Sequence, residues 1–259
     1  MNAPPEQAHA KERKLEIAGA DGTAEGFLYT PDLNGPEGAG PWPGVIFYTD
    51  VWGIRPANQG MARRVAQQGY AVLMPSIFYR TDKLPIIEGE PDPSVPATRA
   101  RLDTLLGAVT GEMMLRDGAA YADFLSRQAE VKGPKLAAVG YCFAGQFALR
   151  TAAAVPGQLA AAASFHGGWL VTDKPDSPHL LLPRVTAELL FAHASDDPLM
   201  PAADIETFEA ALAAWGGRYE SKTWPARHGW SVPGRPVYDP VQSERHFEKL
   251  FDLLKRNLG

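Results

Sequence analysis

Short, unbroken apolar runs recur along the chain at Gly44–Thr49, Tyr70–Pro75, Lys135–Tyr141, Leu159–Phe165 and Thr186–Ala194. Runs of this length, without polar alternation, are expected of strands covered on both faces. Between them lie segments of helical spacing. Residues 57–69 place Met61, Val65 and Ala66 on one side and end at Gly69, a C-cap signal. Residues 99–128 are long enough for two helices meeting near Gly111, and residues 144–154, 202–216 and 240–257 add three more. Near the N-terminus the pattern differs. Arg13–Ala18 and Ala24–Thr30 alternate polar and apolar positions around Asp21-Gly22, as in an antiparallel hairpin. A more amphipathic run at Gly217–Trp224 reads as an edgeward strand.

Strand and helix therefore alternate after an antiparallel start. The expected fold class is α/β, with a mostly parallel central sheet flanked by helices on both faces and an antiparallel N-terminal hairpin. Residues 1–12, polar and carrying Pro4 and Pro5, read as a flexible arm, and 13–259 as one domain. The stretch from Pro75 to Thr98, rich in proline and glycine, is the one long irregular segment. Loops of that length either decorate a site or pad the surface.

Composition narrows the function more than the fold. The net charge of −5 and pI near 5.7 provide no field for a phosphate backbone, so nucleic acid is not an expected partner. No run approaches the length of a membrane-spanning helix, and no signal-like segment opens the chain, so a cytoplasmic location is expected. The chain has a single cysteine, Cys142, which excludes an internal disulfide and makes a structural zinc site implausible. No metal site and no cofactor are expected.

Cys142 lies in VGYCFAG, directly after an expected strand and before an expected helix, with Gly140, Ala144 and Gly145 around it. A nucleophile on such a sharp turn needs small neighbours, and the following helix N-terminus favours a thiolate. A free cysteine can also simply pack in a core. Context separates the two readings. Asp196 and Asp197 follow the end of one later strand, and His228 follows the next. Nucleophile, acid, histidine is the order of an α/β-hydrolase, and thiol, base and orienting acid are the parts that covalent acyl transfer needs. Of the other histidines, His9, His179 and His246 read as solvated or structural, and His193 lies within a strand. His166 ends a strand near the site, as a pocket wall or a satisfied core residue, and the core reading is favoured.

GYCFAG (140–145), SFHGGW (164–169), SDDPLMP (195–201) and RHGW (227–230) together resemble the dienelactone hydrolase (carboxymethylenebutenolidase) family. The resemblance runs from about Glu12 to the end and includes DVWGI (50–54). It implies an α/β-hydrolase fold and a cofactor-free hydrolase of a lactone or carboxylic ester, acting through an acyl-thioester at Cys142. The expected partner is a small-molecule lactone or ester, and the chain is expected as a monomer or homodimer. Carried over by position, Cys142 is the nucleophile, His228 the base and Asp197 the acid. Asp50 stands where the family's thiol-activating glutamate stands. The backbone N–H groups of Val51 and Phe143 match the oxyanion hole, and Arg80 matches a substrate-binding arginine. A second family arginine is replaced by Val232, which leaves Arg235 to reach inward or remain on the surface. Trp52, Phe78, Trp169, Trp230 and Tyr238 could build an aromatic pocket, with Trp52 and Trp230 expected to touch substrate. The alternatives are a thioesterase or general carboxylesterase with the same three residues, or a non-catalytic binding or redox-sensing protein.

Overall fold

The computed structural model describes residues 9–32, 40–87, 91, 92 and 94–259. In chain order the strands are β1 (His9–Gly19), β2 (Gly22–Asp32), β3 (Trp42–Tyr48), β4 (Ala71–Pro75), β5 (Val131–Tyr141), β6 (Leu159–Phe165), β7 (Glu188–Asp196) and β8 (Tyr219–Arg227). The helices are α1 (Pro56–Ala66), α2 (Pro96–Gly107), α3 (Gly111–Ser126), α4 (Gly145–Ala154), α5 (Ala202–Trp215) and α6 (Pro240–Leu258). The strands form one sheet in the order β1-β2-β4-β3-β5-β6-β7-β8. β1–β2 and β2–β4 pair antiparallel, and every pair from β4 to β8 is parallel. This is an α/β-hydrolase-like sheet with an antiparallel N-terminal hairpin.

β3 shows why its residues read as an apolar run. Val45 and Phe47 enter one core, with Met61, Val65, Phe247 and Leu254 of α1 and α6. Ile46 and Tyr48 enter the other, with Leu105, Tyr121, Phe147 and Phe208 of α2 to α5. Because successive side chains of a strand point to opposite faces, a strand covered on both sides needs apolar residues at every position. β8, at the edge, buries only Trp224 of its nine residues, in keeping with its amphipathic pattern.

Three boundaries differ from expectation. β1 takes in residues 9–12, assigned above to the arm, because Lys11 and Glu12 pair with Thr30 and Tyr29 through the backbone; the remaining arm residues, 1–8, lie outside the described residues. α1 ends at Ala66 with Gln67 as its C-cap. Gly69 follows, at φ +96°, its N–H donating to the Ala66 carbonyl at 2.9 Å. In the stretch from Pro75 to Thr98, Ile77, Phe78 and Ile86 are buried, and α2 begins at Pro96. The break between α2 and α3 falls as expected, where the Thr110 hydroxyl caps α3 by accepting from the Met113 N–H.

Candidate active site

The C-terminal ends of β5, β7 and β8 converge, which is where an open parallel sheet leaves a crevice. Cys142 follows the last residue of β5, opens a short 3-10 turn (Cys142–Ala144) and leads into α4. Its φ of +56° is a left-handed conformation rare for a residue with a Cβ. Small neighbours make the turn possible. A Cβ on Gly140 would lie 2.0 Å from the Ala144 carbonyl oxygen, and one on Gly145 would lie 2.3 Å from Ser164 Oγ.

His228 Nε2 stands 3.0 Å from Cys142 Sγ, and His228 Nδ1 donates to Asp197 Oδ2 at 2.7 Å. The other Asp197 oxygen accepts from the Leu199 N–H at 2.9 Å, so the carboxylate is fixed at both ends. Asp196, the neighbouring candidate, is exposed and paired with Arg227. The structure thus joins Cys142, His228 and Asp197 in one hydrogen-bonded series. Burial works against a charged His228 ring, but negative charge at Cys142 and the Asp197 hydrogen bond outweigh it and push the ring up to about 10.

A titration follows from this. The His228 ring signal in NMR is expected to titrate near pH 10 in the intact protein and to move down in Cys142→Ala, which removes a principal raising influence. A folded-state value above the ordinary 6.5 means that the protonated ring stabilises the fold fully below pH 6.5. That contribution is lost as pH rises through about 10. A ring that titrates near 6.5 in both proteins would contradict the charge assignment.

His166, expected as a satisfied core residue, is buried and hydrogen-bonded, but its partners make it part of the site. Its Nδ1 accepts the Cys142 backbone N–H at 3.1 Å, and its Nε2 lies 2.8 Å from Ser231 Oγ. An acceptor at Nδ1 places the ring proton on Nε2, donating to Ser231. Complete burial holds the ring pKa well below its ordinary value, so it stays neutral 5.1 Å from the His228 ring. The strand-end FHG sequence is the available signal. Nothing in sequence shows that the ring meets a backbone N–H.

Asp50, Val51 and Trp52 form a turn closed by the Gly53 N–H donating to the Asp50 carbonyl at 3.1 Å. Asp50 is hydrogen-bonded within its own turn and to Arg55. Its Oδ2 accepts from Arg55 Nη2 at 2.7 Å and its Oδ1 from the Trp52 N–H at 3.0 Å. Burial raises its pKa, and Arg55 opposes the shift. Asp50, expected as the thiol activator, is buried and braces the turn that contains Val51. Phe143 occupies the second position of the 3-10 turn, where N–H groups have no carbonyl partner within the helix.

Arg80 is also placed otherwise than expected. Both of its terminal nitrogens bind the fully buried Asp117 carboxylate, at 2.7 and 2.8 Å, and Nε and Nη2 bind Asp21 at 2.9 and 2.6 Å. The Asp117 hydrogen bonds hold its pKa above the ordinary arginine range. A guanidinium gripped by two carboxylates braces the loop after β4 against α3 and the hairpin. Arg235 points inward, its guanidinium 5.0 Å from the centre of the Trp52 ring and its Nη1 donating to the Pro91 carbonyl at 2.9 Å. Trp230 is wholly buried, packed on Trp224 and His166, so it is a core residue without access to substrate. Phe78 stacks on Phe143 and is buried, Trp169 meets Phe143 edge-on, and Tyr238 lines a separate hollow beside α1 and α6.

Among the described residues no group of three or more His, Cys, Asp or Glu side chains could hold a metal ion, and no helix is long and apolar enough to cross a membrane.

Comparison with known proteins adds to this geometry. The profile of the dienelactone hydrolase family matches residues 26–258. The carboxymethylenebutenolidase of Rhodococcus opacus is 26% identical over 220 residues, which cover 85% of this chain and 79% of that protein. Among solved structures, a dienelactone hydrolase-like promiscuous phosphotriesterase from metagenomic libraries superposes with a TM-score of 0.77 at 23% identity, covering 97% of this chain and all of the other. The dienelactone hydrolase of Anabaena variabilis superposes with a TM-score of 0.68 at 18% identity, covering 98% and 100% of the two chains.

Proposed function

Since the chain belongs to the dienelactone hydrolase family, hydrolases of lactones and esters, we propose that it cleaves a lactone or carboxylic ester through a thioester at Cys142. The observation that carries the proposal is the series Sγ to Nε2 at 3.0 Å and Nδ1 to Oδ2 at 2.7 Å, ending on a buried carboxylate.

The thiolate of Cys142 attacks the ester carbonyl carbon while His228 carries the proton. The carbonyl oxygen gathers negative charge, which the N–H groups of Val51 and Phe143 stabilise; one such donor contributes about 3 kcal/mol to the transition state. As the tetrahedral intermediate collapses, the carbon–oxygen bond to the leaving group breaks and His228 gives that oxygen its proton. Water then loses a proton to His228 and attacks the thioester, releasing the acid and restoring the starting pair. His166 acts from below, holding the Cys142 backbone so that Sγ faces His228. Trp52, capped by Arg235, walls the side next to the oxyanion turn.

The same chemistry serves a thioester or a simple ester. A redox-sensing role is disfavoured because Cys142 has no second cysteine to resolve a sulfenic acid.

Because Cys142 is the sole cysteine, alkylation provides a single-site test. One equivalent of iodoacetamide is expected to abolish hydrolysis of p-nitrophenyl acetate, in proportion to the alkylated fraction measured by intact mass. Full activity in protein that is completely alkylated would overturn the assignment.

A further inference from the structure

A cleft of about 590 Å³ lies between α2, α3 and α4 and reaches the nucleophile turn at Phe143 and Trp169. Phe143 immediately follows Cys142, and the N–H of Gly168, next to Trp169, donates to the Cys142 carbonyl. The cleft is thus contiguous with the turn without being lined by Cys142 itself. Its walls near the turn are apolar, with Met114, Phe143 and Trp169, and its far part is not.

There stands Arg150, on the α4 helix that begins three residues after Cys142. Its side chain is only 4% exposed. Nη2 donates to the Asp176 carbonyl at 2.7 Å, and Nε makes a long contact of 3.5 Å with Gln146. Nη1 is buried with no hydrogen-bond partner among the described residues. The Asp176 carboxylate is 3.9 Å away and half exposed, too distant to serve as a hydrogen-bonded partner. Burial lowers the Arg150 pKa, and the Asp176 charge opposes the shift without cancelling it.

A buried donor without a partner costs free energy, and a native protein keeps one where something else supplies the acceptor. Gly111 lines the same cleft and lets the guanidinium pack against the start of α3: a Cβ there would lie 2.2 Å from Asp176 Oδ2 and 2.6 Å from Nη1. Exposed Lys174 adds a second cation at the rim, giving two cations against the single Asp176 carboxylate in the lining.

Resting on the reading of Cys142 as nucleophile, we infer that this cleft is a substrate subsite for a carboxylate-terminated chain, its apolar walls covering the chain and Arg150 with Lys174 taking the remote carboxylate. Arg150 stands eight positions after Cys142, roughly 13 Å along the 3-10 turn and helix at their ordinary rises. That separation suits half-esters of longer aliphatic diacids. It is a different arginine, on a different element, from Arg80.

The test compares mono-p-nitrophenyl suberate and adipate with p-nitrophenyl octanoate and hexanoate. The wild type is expected to favour the suberate ester over octanoate by roughly tenfold or more in kcat/KM, the scale of a charged hydrogen bond. Arg150→Gln and, at the exposed rim, Lys174→Glu should each lose that preference, with the loss on carboxylate-terminated esters exceeding the loss on methyl-terminated ones. Equal losses on both series, or no preference in the wild type, would overturn the subsite. Calorimetry of suberate binding reads the cleft without turnover. Binding that weakens tenfold or more in Arg150→Gln supports it, and equal or undetectable binding to both proteins overturns it. Hydrolysis of p-nitrophenyl acetate by the wild type reports separately on Cys142.

Discussion

His228→Ala is expected to lower kcat/KM for an activated ester by roughly ten-thousandfold, and Asp197→Asn by somewhat less. The size comes from comparable catalytic series, in which removing the base costs nearly as much as removing the whole set. The order follows from the geometry. His228 touches the sulfur directly, whereas Asp197 acts through the ring by holding Nδ1–H at 2.7 Å. An asparagine at 197 can present its amide N–H to Nδ1 and trap the other tautomer, leaving Nε2 unable to accept a proton. Steady-state kinetics with p-nitrophenyl acetate, on variants whose circular dichroism matches the wild type, measure both. A fall of less than tenfold for His228→Ala would remove the ring from the reaction.

The second large effect is expected at Gly140. In Gly140→Ala the new Cβ would lie 2.0 Å from the Ala144 carbonyl oxygen and 2.7 Å from its carbon, both backbone atoms that no rotamer change can move. Either the turn shifts, taking Sγ away from His228, or the strand and helix separate. Overpacking of this kind costs about 3 kcal/mol. In a chain of this size that corresponds to a melting temperature roughly 6 to 12 °C lower. Gly60, mid-helix in α1, serves as the control, because an added methyl there would have nothing within 4 Å. Gly60→Ala should be neutral or stabilise by up to about 1 kcal/mol. Thermal melts of the two variants, with esterase activity alongside, measure the contrast. Equal melting temperatures would mean that the turn has slack the geometry denies.

These two effects mark what is legible in the chain alone. β6 lies at Leu159–Phe165 as expected, because a strand covered by helices on both faces leaves an uninterrupted apolar run. Cys142, Asp197 and His228 are legible because each directly follows a strand, and a parallel sheet brings strand ends together without detailed knowledge of the loops.

What does not show in the sequence depends on partners far away along it. Lys11 and Glu12 pair through backbone groups, which leave no side-chain pattern. Arg80 cannot be seen to belong to Asp117 and Asp21 until α3 and the hairpin are brought beside it. Asp50 faces Arg55, only five residues on, yet a carboxylate after a strand looks the same whether it serves a thiol or a guanidinium. Trp230, beside the histidine in sequence, turns into the core. Arg150 carries no signal of its own as a single charged residue in an alanine-rich helix. Nine of the ten residues of that helix are buried, and this is why a lone arginine there matters.

The central claim is that acyl groups pass through Cys142, and trapping the thioester tests it most directly. Rapid mixing with a slowly deacylating p-nitrophenyl ester, acid quench and peptide mass mapping should find one acyl group per chain on the Cys142 peptide, formed at the rate of the p-nitrophenol burst and absent in Cys142→Ala. Turnover without any acyl group on that peptide, or undiminished turnover in Cys142→Ala, would contradict the account.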